Sequence, residues 1–164
     1  MDEMAGLASS SFFFKIDRKI ELYLKIYVDL NKNQEIAGGL IGDIKGVKGK
    51  GIVFDIKSFL PFPNLASDKR NFSDIPKLWF EILDEWRIFQ HPKQKFIGFL
   101  HSHPLNSSKI STQDKEFANS LREKYGTIVF IIIGENKTLR CYLFKNEEPV
   151  LIGGKNNYYK CLLR

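Results

Sequence analysis

Cysteine is scarce in this chain. Cys141 and Cys161 are the two among 164 residues, and they form neither a C-x-x-C pair nor a disulfide ladder. That usage fits a reducing compartment, and both are expected to behave as small buried hydrophobes. Long apolar runs are lacking too: none approaches the ~20 residues that span a bilayer. The first residues, with Asp2, Glu3 and a run of only three Phe, do not have the pattern of a secretory signal, so a soluble, cytoplasmic protein is expected. Helix-turn-helix and zinc-finger patterns are absent. The net charge of +6 is spread over Lys15–Lys25, Lys45–Lys57, Lys93–Lys95 and the C-terminal tail, which reads as solvated faces rather than a nucleic-acid footprint. A charge of that sign would still steer an acidic partner surface. With no internal repeat and no linker, one domain over 11–164 is expected behind a loose polar end at 1–10.

What is present is globular. A hydrophobic fraction of 43% and an aromatic fraction of 13% are far from a disordered composition. Strands are predicted at Ser11–Lys15, Glu35–Lys45, Ile52–Phe59, Phe96–Leu100, Thr127–Ile133 and Thr138–Phe144, with a last edge strand at Val150–Gly154. Asp17 is a plausible N-cap for an amphipathic helix over Lys19–Tyr27. A second helix is predicted over Ile75–Phe89, with a core stripe of Leu78, Trp79, Ile82, Leu83, Trp86 and Phe89. The two tryptophans in it read as packing. Pro61 to Ser73 is rich in loop formers. Gly38 and Gly39, adjacent inside a strand, imply that something approaches the backbone closely. This order of elements predicts one mixed sheet with helices on both faces.

The chemistry concentrates in Phe99-Leu100-His101-Ser102-His103-Pro104 and its continuation to Ser111 and Asp114. Residues two apart on a strand share a face, so the imidazoles of His101 and His103 can reach one point. Pro104 ends that strand, and Ser111 opens a helix with Asp114 in its first turn. Ser111-x-x-Asp114 is what an N-cap and its partner look like; a capped turn is also what would hold Asp114 rigid. Two neutral imidazoles and a carboxylate are a ligand set of catalytic zinc, which keeps one position open. The third histidine, His91, stands in a turn without a ligand-type neighbour and reads as a surface residue.

His101-Ser102-His103, seven residues, Ser111, two residues and Asp114 together resemble the signature of the JAMM (MPN+) zinc metalloproteases, in their stand-alone prokaryotic form. Glu35-Ile36-Ala37-Gly38-Gly39-Leu40-Ile41-Gly42 is similar to the glutamate-headed strand that the same family carries upstream. The resemblance runs from about residue 13 to 150. It implies a three-layer, deaminase-like α/β sandwich, the MPN fold. It also implies one zinc ion on His101, His103 and Asp114, Glu35 as general base, and Ser111 as donor to the tetrahedral oxyanion. In that family the loop matching Pro61–Ser73 walls the substrate groove. Gly38, Gly39, Asn64 and Phe72 are the corresponding substrate-binding candidates. A zinc deaminase, the rival on such a fold, would need His-x-Glu and Pro-Cys-x-x-Cys, and the chain has neither.

The activity so implied is hydrolysis of an amide or isopeptide bond after the C-terminal glycine of a ubiquitin-like modifier. The partners would be that modifier or its conjugate, with E1- and E2-like enzymes of the same conjugation or antiviral defence operon. Two other readings stay open: release of a small amino acid from a sulfur-carrier protein, and a non-catalytic or RadC-like scaffold. RadC-like proteins typically read His-Asn-His-Pro where this chain has Ser102.

Overall fold

Asp17 starts the first helix as its side chain allows: the carboxylate accepts the Lys19 amide at 2.8 Å, satisfying one of the donors a helix N-terminus leaves open. The computed structural model describes residues 12–47, 51–66, 75, 77–104, 108–135, 137 and 139–154. Their elements are β1 (Phe12–Ile16), α1 (Arg18–Leu30), β2 (Ala37–Val47), β3 (Gly51–Phe62), α2 (Lys77–Gln90), β4 (Lys95–His103), α3 (Thr112–Tyr125), β5 (Ile128–Gly134), β6 (Leu139–Phe144) and β7 (Val150–Gly154). The N-terminal end with Ser11, residues 48–50, the part of the predicted loop Pro61–Ser73 that follows Ala66 (including Phe72) and Cys161 lie outside the described residues.

The strands form one seven-stranded mixed sheet in the order β1-β3-β2-β4-β5-β6-β7. The pairs β1–β3 and β4–β5 are parallel and the others antiparallel. An apolar cluster lies on each face. One takes Phe14, Phe54, Leu100, Ile131 and Cys141 from the strands and Leu24 from α1. The other takes Phe99, Phe130, Ile132 and Phe144 with Phe80 and Leu83 from α2 and Ala118 and Leu121 from α3. The mixed α/β expectation therefore holds, with one difference in shape. The sheet curls until β1 and β7 meet, so its centre is nearer a barrel than the flat middle layer of a sandwich.

Two local expectations are corrected. Strand β3 continues through Pro61 to Phe62 instead of stopping at Phe59. Strand β1 pairs it only over Ile52–Ile56, so Pro61 stands where the outer edge has no strand partner and its missing N–H costs no ladder bond. In α2 the sequence stripe is rotated. Phe80 and Leu83 are buried and Trp79 and Trp86 half-buried, whereas Leu78 (56%), Ile82 (42%) and Phe89 (82%) are exposed. The apolar arc of the helix runs from Leu78 and Phe89 round to Phe80, opposite Lys77, Glu81 and Asp84. It is wider than the face the sheet covers, so periodicity could not choose which part of it points inward. No helix among the described residues is long and apolar enough to cross a membrane.

The adjacent glycines are explained by the protein's own packing. A Cβ on Gly38 would collide with the Leu60 carbonyl oxygen and the Phe59 ring, and one on Gly39 would stand 2.7 Å from Leu83 Cδ2. Both lie on β2, which is paired on one side with β3 and on the other with β4.

Candidate metal centre

Strand β4 carries the two imidazoles to the end of the sheet. Phe96 to Ser102 are buried, an apolar run that only an interior strand of a sheet covered on both faces can use. His101 shares a face with Phe99, and its ring packs 5.3 Å from the Phe130 ring. His103 follows two residues later on the same face, its ring 4.7 Å from that of His101 and nearly perpendicular to it.

Helix α3 brings the carboxylate. Ser111 Oγ accepts the Asp114 amide at 3.1 Å, and Asp114 Oδ2 accepts the Ser111 amide at 2.9 Å. This is a reciprocal capping box, and it fixes the Asp114 carboxylate at the start of the helix. Asp114 Oδ1 lies 3.1 Å from His101 Nε2, and Oδ2 lies 3.3 Å from His103 Nε2. Ser111 itself is exposed.

Glu35 completes the group from just before β2. Its Oε1 lies 3.0 Å from His101 Nδ1. The segment is held from three directions. Asn64 Nδ2 donates to the Glu35 carbonyl at 3.0 Å, the Ile36 amide donates to Ser102 Oγ at 2.9 Å, and the Ser102 amide donates to the Ile36 carbonyl at 2.9 Å. Ser102, between the two histidines, thus clamps the residue next to Glu35.

The arrangement fits a metal ion. One ligand atom from each of His101, His103 and Asp114 lies within 4.8 Å of the other two. His101 Nε2 is buried without a hydrogen-bond partner. Its 3.1 Å approach to Asp114 is close enough but not aligned as donor to acceptor. The Glu35 carboxylate on Nδ1 places the ring proton there and leaves the Nε2 lone pair for the ion, the carboxylate–histidine relay common behind metal ligands.

Without an ion the carboxylates hold a proton instead. Burial pulls the His101 pKa down, but the contacts with Asp114 and Glu35 outweigh it and push it up to about 9. Burial alone would raise Asp114; the two histidines and the Ser111 amide hold it well below the usual carboxylate range. Such a pocket asks for positive charge.

Each site candidate singled out by sequence now has a place except Phe72, which lies outside the described residues. Glu35, His101, His103, Ser111 and Asp114 are brought together. Asn64 reaches the group through its bond to the Glu35 backbone, while Gly38 and Gly39 are buried in β2. His91 stays apart, its ring 5.0 Å from Trp86. Cys141 is buried and burial raises its thiol pKa, as an inert core cysteine requires. Two contributors were missed. Ser102 acts across 66 positions of sequence, where no local pattern could reveal it. Tyr142 receives the Ile110 amide at 3.2 Å and donates to the Ser108 carbonyl at 3.3 Å, tying down the loop that leads to Ser111; its only sequence signal is an inward position on a buried strand.

In fold the chain is similar to protein DSY2949 from Desulfitobacterium hafniense, a structural-genomics target solved in solution. The two superpose with a TM-score of 0.65 at 17% identity, covering 93% of each chain. A likeness at that identity concerns the fold alone. No protein-family model and no curated protein matches the chain.

Proposed function

We propose that this chain is a zinc-dependent hydrolase of the JAMM type, its curled sheet and flanking helices a variant of the three-layer MPN fold. Its substrate would be an amide or isopeptide bond after the C-terminal glycine of a ubiquitin-like modifier. The observation that carries the proposal is the convergence of one ligand atom each from His101, His103 and Asp114, with a second carboxylate, Glu35, beside them.

His101 and His103 would hold the ion through Nε2 and Asp114 through its carboxylate. Zinc so held supplies Lewis acidity, polarising a carbonyl and making water acidic near neutral pH. Glu35 would take a proton from the attacking water and return it to the leaving amine, its carboxylate turning from His101 Nδ1 toward the open side of the site to do so. Ser111 accepts the Asp114 amide at Oγ, so its own proton remains free to donate to the oxyanion, a contribution of ~3 kcal/mol to the barrier in comparable sites. Asn64 and Ser102 position Glu35 through its backbone.

Next to the site a substrate tail would find no free edge on β2, because β3 and β4 occupy both of its sides over Ala37–Gly42. The outer edge of β3 beyond Ile56, which β1 does not pair, and the segment around Asn64 would receive it instead. The test is to incubate zinc-loaded protein with linear fusions of ubiquitin-like modifiers and to read the products by intact mass. Cleavage after the terminal glycine is expected, and it should be lost when that glycine is made bulky. Loss of metal binding in the folded protein, or cleavage indifferent to glycine, would overturn the proposal.

A further inference from the structure

Arg140 lies in the same cross-strand row as the metal centre. His101 pairs with Ile132 of β5, Ile132 with Arg140 of β6, and Arg140 with Gly154 of β7. On β6, Leu139, Cys141 and Leu143 face one apolar cluster while Tyr142 and Phe144 face the other. Alternation therefore puts Arg140 on the face of Ile132, Phe130 and His101. Two strand spacings of ~4.8 Å separate Arg140 from His101 at the backbone, about 10 Å in all.

Its guanidinium is incompletely partnered among the described residues. Nε is buried without a hydrogen-bond partner, and among the described residues Arg140 makes no ion pair. A guanidinium is always charged and presents a rigid fork of donors matched to carboxylates. Burying one donor unsatisfied costs stability, and since Arg140 as a whole is only part-buried, its outer nitrogens are the donors a ligand would meet. Next to it on the same strand, Tyr142 holds the loop leading to Ser111, so Arg140 stands beside that wall at the end of the sheet where the metal ligands are.

We propose that Arg140 forms a carboxylate-binding subsite beside the metal centre. It rests on the hydrolase reading for its role in catalysis, though not for binding itself. An extended chain spans ~3.4 Å per residue, so the recognised carboxylate lies about three residues from the scissile bond. The ligand class is an acidic peptide: an aspartate or glutamate side chain, or a terminal carboxylate at that reach.

The test uses fluorescein-labelled neutral heptapeptides with a central Gly-Gly, in which one aspartate is walked through the remaining positions. Binding to the metal-free protein is read by anisotropy at low salt. One position, two or three residues from the Gly-Gly bond, should bind ~10-fold more tightly than the neutral parent. In Arg140→Gln that gain should vanish while the parent binds unchanged, and thermal stability should hold or rise because an unsatisfied donor has gone. Arg140→Lys, which keeps the charge without the fork, should keep about a third of the gain and decides the matter if the glutamine variant does not fold. No favoured position, or a gain that survives Arg140→Gln, would overturn the subsite. Zinc-loaded protein is scored separately for cleavage of the same peptides. A gain without cleavage counts against the hydrolase proposal and supports the subsite; cleavage without the gain does the reverse.

Discussion

Replacing Ser102 by alanine tests whether the clamp behind Glu35 is as strong as its geometry suggests. Ser102 is 3% exposed and Ile36 4%, and Ser102 Oγ is the acceptor of the Ile36 amide at 2.9 Å. In Ser102→Ala that amide stays buried with no acceptor. Ile36 packs in an apolar cluster with Leu100 and Ile133 among its members, which offers a replacement water few partners. The penalty for an orphaned buried donor is ~1–3 kcal/mol. For a domain of this size each kcal/mol lowers the Tm by ~2–4 °C, so a central cost of ~2 kcal/mol predicts a fall of ~4–8 °C. Thermal unfolding followed by circular dichroism, with a chelator present throughout, removes any contribution of bound metal. Ser120→Ala is the control: that hydroxyl is exposed and bonds only the Phe117 carbonyl of its own helix, and its loss should stay within ~0.5 kcal/mol. A Ser102→Ala fall no larger than the control's would refute the clamp.

Other outcomes follow from the same site. The purified protein should carry one zinc per chain by elemental analysis; His101→Ala and Asp114→Ala should abolish it, and Cys141→Ser should leave it in place. Glu35→Gln should keep zinc affinity within about tenfold, since the amide oxygen can still face His101 Nδ1. Its turnover should fall by ~100-fold or more, because an amide cannot accept the proton; near-normal turnover would remove Glu35 from the chemistry. In metal-free protein the His101 pKa is raised from 6.5 to about 9, so its stabilisation is complete below pH 6.5 and is lost as pH climbs through 9. The Asp114 pKa is lowered from 3.8, so its contribution is present above that pH and lost as acid is added. Melting with chelator should therefore show an alkaline decline above pH 6.5 that His101→Gln flattens; an equal decline in the variant would assign it elsewhere.

The grouping of His101, His103 and Asp114 was legible because its logic is local. Two residues apart on a strand and three apart at a helix start are spacings that a sequence displays directly, and the capping of Asp114 by Ser111 is the same fact seen twice. Glu35 was reachable only by resemblance, since nothing near it says which strand end it will face. Strand identities were equally plain where β-branched and aromatic runs are long, as in Ile128–Gly134. Orientation was not. The inward face of α2 depends on what covers it, and its apolar arc is wider than the part that is covered. The curl of the sheet is likewise a sum of small twists across seven strands, and no stretch of sequence carries it. The polar supports, Ser102 to Ile36 and Tyr142 to Ser108, join segments too far apart for any pattern to connect.

The curl has a consequence for how copies of this protein behave in a crowd. An open sheet presents two ribbons of unpaired backbone, each a template on which another chain can grow. Here β1 and β7 face one another, so each shelters the other from foreign strands. The stretch of β3 beyond Ile56, which β1 does not reach, is one part left over. It carries Lys57 and Pro61, a charge that resists desolvation and a residue with no amide proton to offer. An incoming strand would find a ladder with a missing rung, so the chain should stay dispersed at concentrations where a flat sheet of the same length would begin to assemble edge to edge.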